Sequence, residues 1–220
     1  MKFASDRLWM AGLVLIVGCT APQASEPNQG SVAVSSVDSP LASNLPERKI
    51  ETVFVEGEPQ EITLKLYQED QIPVLTYYPE NISVRSACSD EGCGVSFELL
   101  QGLSVSGSPT DAPLRARVHV FVPPAGTTLE ELEAGVTGDG GVFAGKGWQQ
   151  GVSSGSLSYP WEKKNMNYYH SEQNLLGSVH LGQSQGQAFR VTVVFPGDMG
   201  DGFAPRANVI LNNLQVDSIQ

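Results

Sequence analysis

Positive charge is scarce in this chain. Thirteen Lys and Arg stand against 24 Asp and Glu, a formal net charge of −11, and nucleic-acid binding needs basic patches to neutralise phosphate. No nucleic-acid partner is expected, nor a basic face lying flat on anionic lipid; an acidic surface favours solubility and a cationic partner. Three histidines and three cysteines give no zinc set, because the pair Cys88 and Cys93 lacks two further ligands at matching spacing. Neither a metal nor a cofactor is expected. Long apolar runs are missing too. The run Leu8 to Val17, extended by Gly18, makes a helix of about 16 Å against roughly 30 Å of hydrocarbon.

That short run is nevertheless informative. Lys2 and Arg7 precede it, and Gly18 and Cys19 follow, which is the charged, apolar, small-residue order of a secretory signal. Ile16-Val17-Gly18-Cys19 resembles the lipobox of bacterial lipoproteins, with Ile where Leu is commonest. The resemblance implies cleavage before Cys19, diacylglycerol on its thiol, and a domain held to a membrane outside the cytoplasm, in the cell envelope. Cleavage removes Lys2, Arg7 and Asp6, a net +1, so the formal −11 becomes −12.

With Cys19 assigned to lipid, two cysteines remain. In an exported protein C-x4-C reads as a small disulfide, the alternative being free thiols. Ser89-Asp90-Glu91-Gly92 is turn-like, which places the pair at a hairpin tip. Residues 20 to 46 hold Ser, Ala, Pro, Gln, Asn and Val with few charges and no aromatics, too little to fold. The expected division is signal peptide 1–18, lipidated N-terminus and tether 19–46, and one domain 47–220, the tether reaching about 30 Å.

Strand signals dominate that domain: residues 62–67, 74–78, 82–85, 95–100, 114–122, 178–181 and 188–195. They follow one another through short Gly, Pro and Asp turns, leaving little room for parallel crossovers. A capping box at Thr127 and Glu130 predicts one helix, with Leu129, Leu132 and Val136 on one face and Gly138 ending it. A second is predicted from Phe203 to Leu214, with Pro205 in its first turn and Phe203, Ala207, Ile210, Leu211 and Leu214 in one stripe. The fold class is α+β, a mainly antiparallel sheet sandwiched by helices.

Tyr77-Tyr78-Pro79, Val118-His-Val-Phe-Val-Pro123, Thr128-Leu-Glu-Glu-Leu132, Gly147-Trp148 and Ile210-Leu-Asn-Asn-Leu214 follow in an order that resembles the PsbP-like group. The similarity covers most of residues 70 to 216 and is one of layout. It implies antiparallel sheet between helices, and an accessory lipoprotein of a photosynthetic membrane as one alternative role. The group hosts unlike functions, and none of its ligand residues maps onto this chain.

Three motifs approach known chemistry. Gly151-Val-Ser-Ser-Gly155 satisfies G-x-S-x-G, but no strong strand precedes Ser153 and no helix follows, so it reads as a serine-rich loop. Residues 140–147 approach a phosphate loop, with Gly147 in place of the hydroxyl that holds magnesium. Asp198 and Asp201 lack EF-hand spacing and read as a turn with a helix cap.

Two stretches point to binding. In Arg115 to Val122 the alternation puts Arg115, Arg117, His119 and Phe121 on one face; His180 and Arg190 occupy similar slots in later strands. If those strands are neighbours, Arg115, Arg117, His119, His180 and Arg190 form a cationic strip for an anion, the plainer alternative being a solvated face with paired arginines. Tyr159 to His170 is dense in aromatics. Read as a long loop, it offers Trp161, Lys163, Lys164, Tyr168 and Tyr169 to a partner such as an envelope protein or glycan, or folds its rings onto the core. The function expected is thus a membrane-anchored binding or accessory module without catalytic activity, an envelope enzyme of unknown reaction being the alternative.

Overall fold

The computed structural model of the protein describes residues 45–99, 116–144, 147–153 and 155–217. The signal segment, Cys19, the tether up to residue 44, Arg115, Lys146 and Ser154 lie outside them. Among the described residues no helix is long and apolar enough to cross a membrane.

The chain runs through strands β1 (Arg48–Val55), β2 (Glu58–Glu69), β3 (Ile72–Pro79), β4 (Ser83–Ser89), β5 (Gly92–Leu99) and β6 (Ala116–Val122). Helix α1 (Leu129–Thr137), strands β7 (Gln149–Gln150), β8 (Glu162–His170), β9 (Leu175–Ser184) and β10 (Gln187–Pro196), helix α2 (Gly200–Asn212) and β11 (Gln215–Val216) follow. They build two sheets, ordered β1-β2-β3-β11 and β4-β5-β6-β10-β9-β8-β7. Every pairing is antiparallel. The class is α+β, as the short turns between apolar stretches require.

Strict alternation divides the large sheet into two faces. Val95, Phe97, Val118, Val120, Phe189 and Val191 are buried on one, where Phe203, Ala207, Ile210 and Leu211 of α2 pack with Ile72 and Val74 of β3. Val209, on another side of α2, packs with Val53, Leu64 and Tyr77 of the small sheet. Buried Thr76 donates to the Ile210 carbonyl at 2.7 Å, tying α2 to β3. On the opposite face Leu132 and Val136 of α1 pack with Met166, Tyr168, Val179 and Leu181.

Both helix starts differ in detail from the sequence reading. The capping box belongs to Thr128 and Glu131: the Thr128 hydroxyl accepts from the Glu131 amide at 3.2 Å, and the Glu131 carboxylate accepts from the Thr128 amide at 2.8 Å. Thr127 is one residue too early because its hydroxyl closes the preceding turn by donating to the Pro124 carbonyl. Helix α2 begins at Gly200 after a 3-10 turn, Gly197–Met199, so Pro205 lies inside it rather than in its first turn. Leu214 lies past its end and is still buried.

Cys88 and Cys93 face each other across the β4–β5 ladder and are joined in a disulfide, with their Cα atoms 4.1 Å apart. Direct opposition at a hairpin end is what a short C-x4-C span allows.

Candidate functional site

Strand β10 decides which polar groups meet. Arg190 and Thr192 point to the α1 face of the large sheet and Val191 to the α2 face. His119 is registered against Thr192, Arg117 against Val194 and Ser96 against His119, so these share the α1 face. His180 is registered against Val191 and lies on the other side. The strip expected from the sequence is therefore split by the sheet itself.

On the α1 face, Arg117, His119 and Arg190 stand together, with Arg85 in line beyond Ser96. Ser96 Oγ and His119 Nδ1 are 2.8 Å apart. The His119 ring leans over Gly94, where a Cβ would come within 2.9 Å of it, so the missing side chain makes room for the imidazole. Burial, together with the charges of Arg117 and Arg190, pushes the His119 pKa down to about 4, and the ring is neutral at pH 7. The Arg190 guanidinium lies 5.2 Å from the Phe121 ring centroid, and its Nε is buried without a hydrogen-bond partner. Among the described residues Arg85, Arg117 and Arg190 make no ion pair. Two guanidiniums stand beside a neutral imidazole in a strongly acidic protein, a local positive field, with the buried Glu98 across the β5–β6 ladder from Arg117.

The α2 face carries a different set. His180 Nδ1 is 2.5 Å from Glu162 Oε1, and His180 Nε2 is 2.9 Å from Ser178 Oγ. Glu162 is 1 % exposed, and its second oxygen accepts from the Ser158 and Tyr159 amides at 2.5 and 3.3 Å. Burial raises its pKa, but the His180 hydrogen bond and the Ser158 amide outweigh that and hold it below the usual carboxylate value. Tyr159 stacks on Trp161 at 5.1 Å, and both meet His180 edge-on. Tyr159 donates to Asn208 Oδ1 and Trp161 Nε1 to the Leu211 carbonyl. Gly182 lies beneath the Trp161 and Phe189 rings, where a Cβ would clash at 2.6 and 2.5 Å.

No protein-family model and no curated protein matches this chain. Its chemistry has to be read from these two faces.

The five residues expected to form a contact loop are not brought together, because most of that stretch is strand β8. Trp161 packs against the core, and Tyr168 is 8 % exposed and stacked on Phe143 at 4.3 Å. Lys164 pairs with Glu133 at 2.5 Å. Lys163 and Tyr169 remain at the surface. Ser153 sits in a loop and donates to Asn165 Oδ1, and no histidine is bonded to it among the described residues.

The sequence reading missed Arg85, and it missed Glu162 and Ser178 as partners of His180. Ser178-Val-His180 already placed a hydroxyl and an imidazole on one strand face. The carboxylate arrives from β8, the strand mistaken for a loop.

Proposed function

We propose that this chain is a lipid-anchored cell-envelope module, fixed through Cys19, that binds an oxyanion on the α1 face of its large sheet. The ligand class is a carboxylate, phosphate or sulfate group, free or on a larger molecule. The observation that carries the reading is the half-buried Arg190, which has no ion pair and a buried partnerless Nε, with the exposed Arg117 on the same face opposite Glu98. A partly desolvated guanidinium without a carboxylate is costly, and an oxyanion supplies both charge and acceptors in the geometry a guanidinium prefers. Ser96, the buried Thr192 and the His119 ring line the same face and add hydroxyl and imidazole groups to the charge.

Sulfate is a suitable probe, because its charge is constant through the pH range in question. Titrating sulfate into the full chain should give saturable binding that weakens with added chloride, and Arg117→Ala with Arg190→Ala should weaken it at least tenfold. Sulfate also stabilises proteins unspecifically, so equal thermal shifts in wild type and the double variant would overturn the reading. The anchor has a separate test: cells fed radiolabelled palmitate should label the wild type and not Cys19→Ala, and an unlabelled wild type would exclude lipid on Cys19.

A further inference from the structure

Anion binding uses one face of the large sheet and leaves Glu162, His180 and Ser178 on the other without a task. Ser178 and His180 are two apart on β9, so both side chains leave the same face and Nε2 reaches back to the hydroxyl at 2.9 Å. Glu162, buried on β8, holds Nδ1 at 2.5 Å and is itself fixed by two backbone amides. An ionised carboxylate there keeps the imidazole proton on Nδ1 and presents the Nε2 lone pair to the serine O–H. The Tyr159 and Trp161 rings fix the plane of the imidazole from the side. Both ring nitrogens of the half-buried His180 are engaged, Nδ1 by a carboxylate and Nε2 by a hydroxyl. Ser178 is half-buried on the same face as Leu176 and Tyr169, which are 43 % and 39 % exposed.

We infer that Ser178, His180 and Glu162 form a nucleophile, a base and a positioning carboxylate for acyl transfer, with a small uncharged carboxylic ester as substrate. The order of roles is that of serine hydrolases, reached on two neighbouring antiparallel strands. Ser178 Oγ attacks the ester carbonyl carbon while its proton passes to His180 Nε2. The acyl carbon–oxygen bond to the alcohol then breaks, and the alcohol leaves with the proton from Nε2. Water attacks the acyl-serine, gives a proton to Nε2, and the acid departs as Ser178 recovers its proton. Ester and water become acid and alcohol, and His180 ends as it began. Asn167 lies directly across the ladder from Ser178; it gives one side-chain N–H to the Val152 carbonyl at 3.3 Å, and its second N–H is the donor for the carbonyl oxygen as it becomes an oxyanion. Exposed Leu176 and Tyr169 receive the apolar part of the acyl group.

The full chain is treated with a fluorophosphonate probe and assayed with p-nitrophenyl acetate. A single adduct on Ser178 is expected, with labelling abolished in Ser178→Ala and slowed at least 100-fold in His180→Gln. Glu162→Gln should slow acylation at least tenfold and move the rising limb of the pH–rate profile to lower pH, which a packing role would not do. Because a buried substitution can unfold the domain, Ser178→Cys gives an independent measure. Its thiol should react with iodoacetamide faster than that of Ser178→Cys combined with His180→Gln. The inference is overturned by no adduct on folded protein, by an adduct on another serine such as Ser153, or by equal thiol rates with and without His180.

Discussion

At the scale of single residues, His119 is the group whose ionisation the fold opposes most clearly. Burial and the neighbouring Arg117 and Arg190 hold its pKa near 4, below the ordinary 6.5. The unfolded chain therefore binds a proton at this position between those values while the native protein does not. By linkage the stability from this site is complete above about pH 6.5 and drains away as pH falls toward 4, by up to about 1.4 kcal/mol per pH unit. His119→Gln should flatten that part of the acid limb in urea melts at successive pH values, and an unchanged slope would refute the assignment. An anion between the two arginines offsets their repulsion but not the burial that is the larger cause, so His119 should stay neutral on binding. Sulfate affinity should then change little between pH 7 and 5, and a steep rise toward pH 5 that vanishes in His119→Gln would refute this. Sequence alternation was enough to place Arg117 and His119 side by side. It could not place His180, because alternation defines two faces within a strand but not which face it shares with its neighbour. That depends on the β9–β10 register, Val191 against His180, and a one-residue difference exchanges the faces.

At the scale of elements, α1 shows how two overlapping signals are resolved. Thr127 and Thr128 each precede a glutamate by three residues, and only the second pair caps. Thr128→Ala should cost about 1 kcal/mol, whereas Thr127→Ala, which loses one exposed turn bond, should cost well under half of that. Chemical denaturation of the two variants distinguishes them, and equal losses would place the cap elsewhere. Strand β8 was illegible for a related reason. Its buried positions are Glu162 on the α2 face and, past a register shift, Met166, Tyr168 and His170 on the α1 face, so most of its buried side chains are polar or amphipathic. Polarity then no longer marks the outside, and a search for alternating hydrophobicity passes over the strand. Strand β6 carries the ordinary contrast, while β3 and β10 are apolar runs buried on both faces, and either pattern marks a strand. Burying polar groups is tolerated where each has a partner, as Glu162 does.

At the scale of the whole molecule, the disulfide is a local device. It closes a loop of only five residues' separation at an exposed hairpin end, so its stabilisation is about 2 kcal/mol in the chain-entropy view. Cys88→Ser with Cys93→Ser should lower the melting temperature by roughly 4–8 °C for a domain of this size and leave sulfate binding and serine labelling intact. Loss of either activity would show that the tip reaches further than its contacts. The pairing of Gln215 with Leu75 has the opposite reach. Strand β3 obtains its second neighbour from nearly the last residues described, so during synthesis that edge stands unpaired while more than half of the chain is made. An open strand edge is a template for any passing chain, and closures of such long range are slow. A chain cut short before residue 214 should therefore announce itself less by lost activity than by clumping.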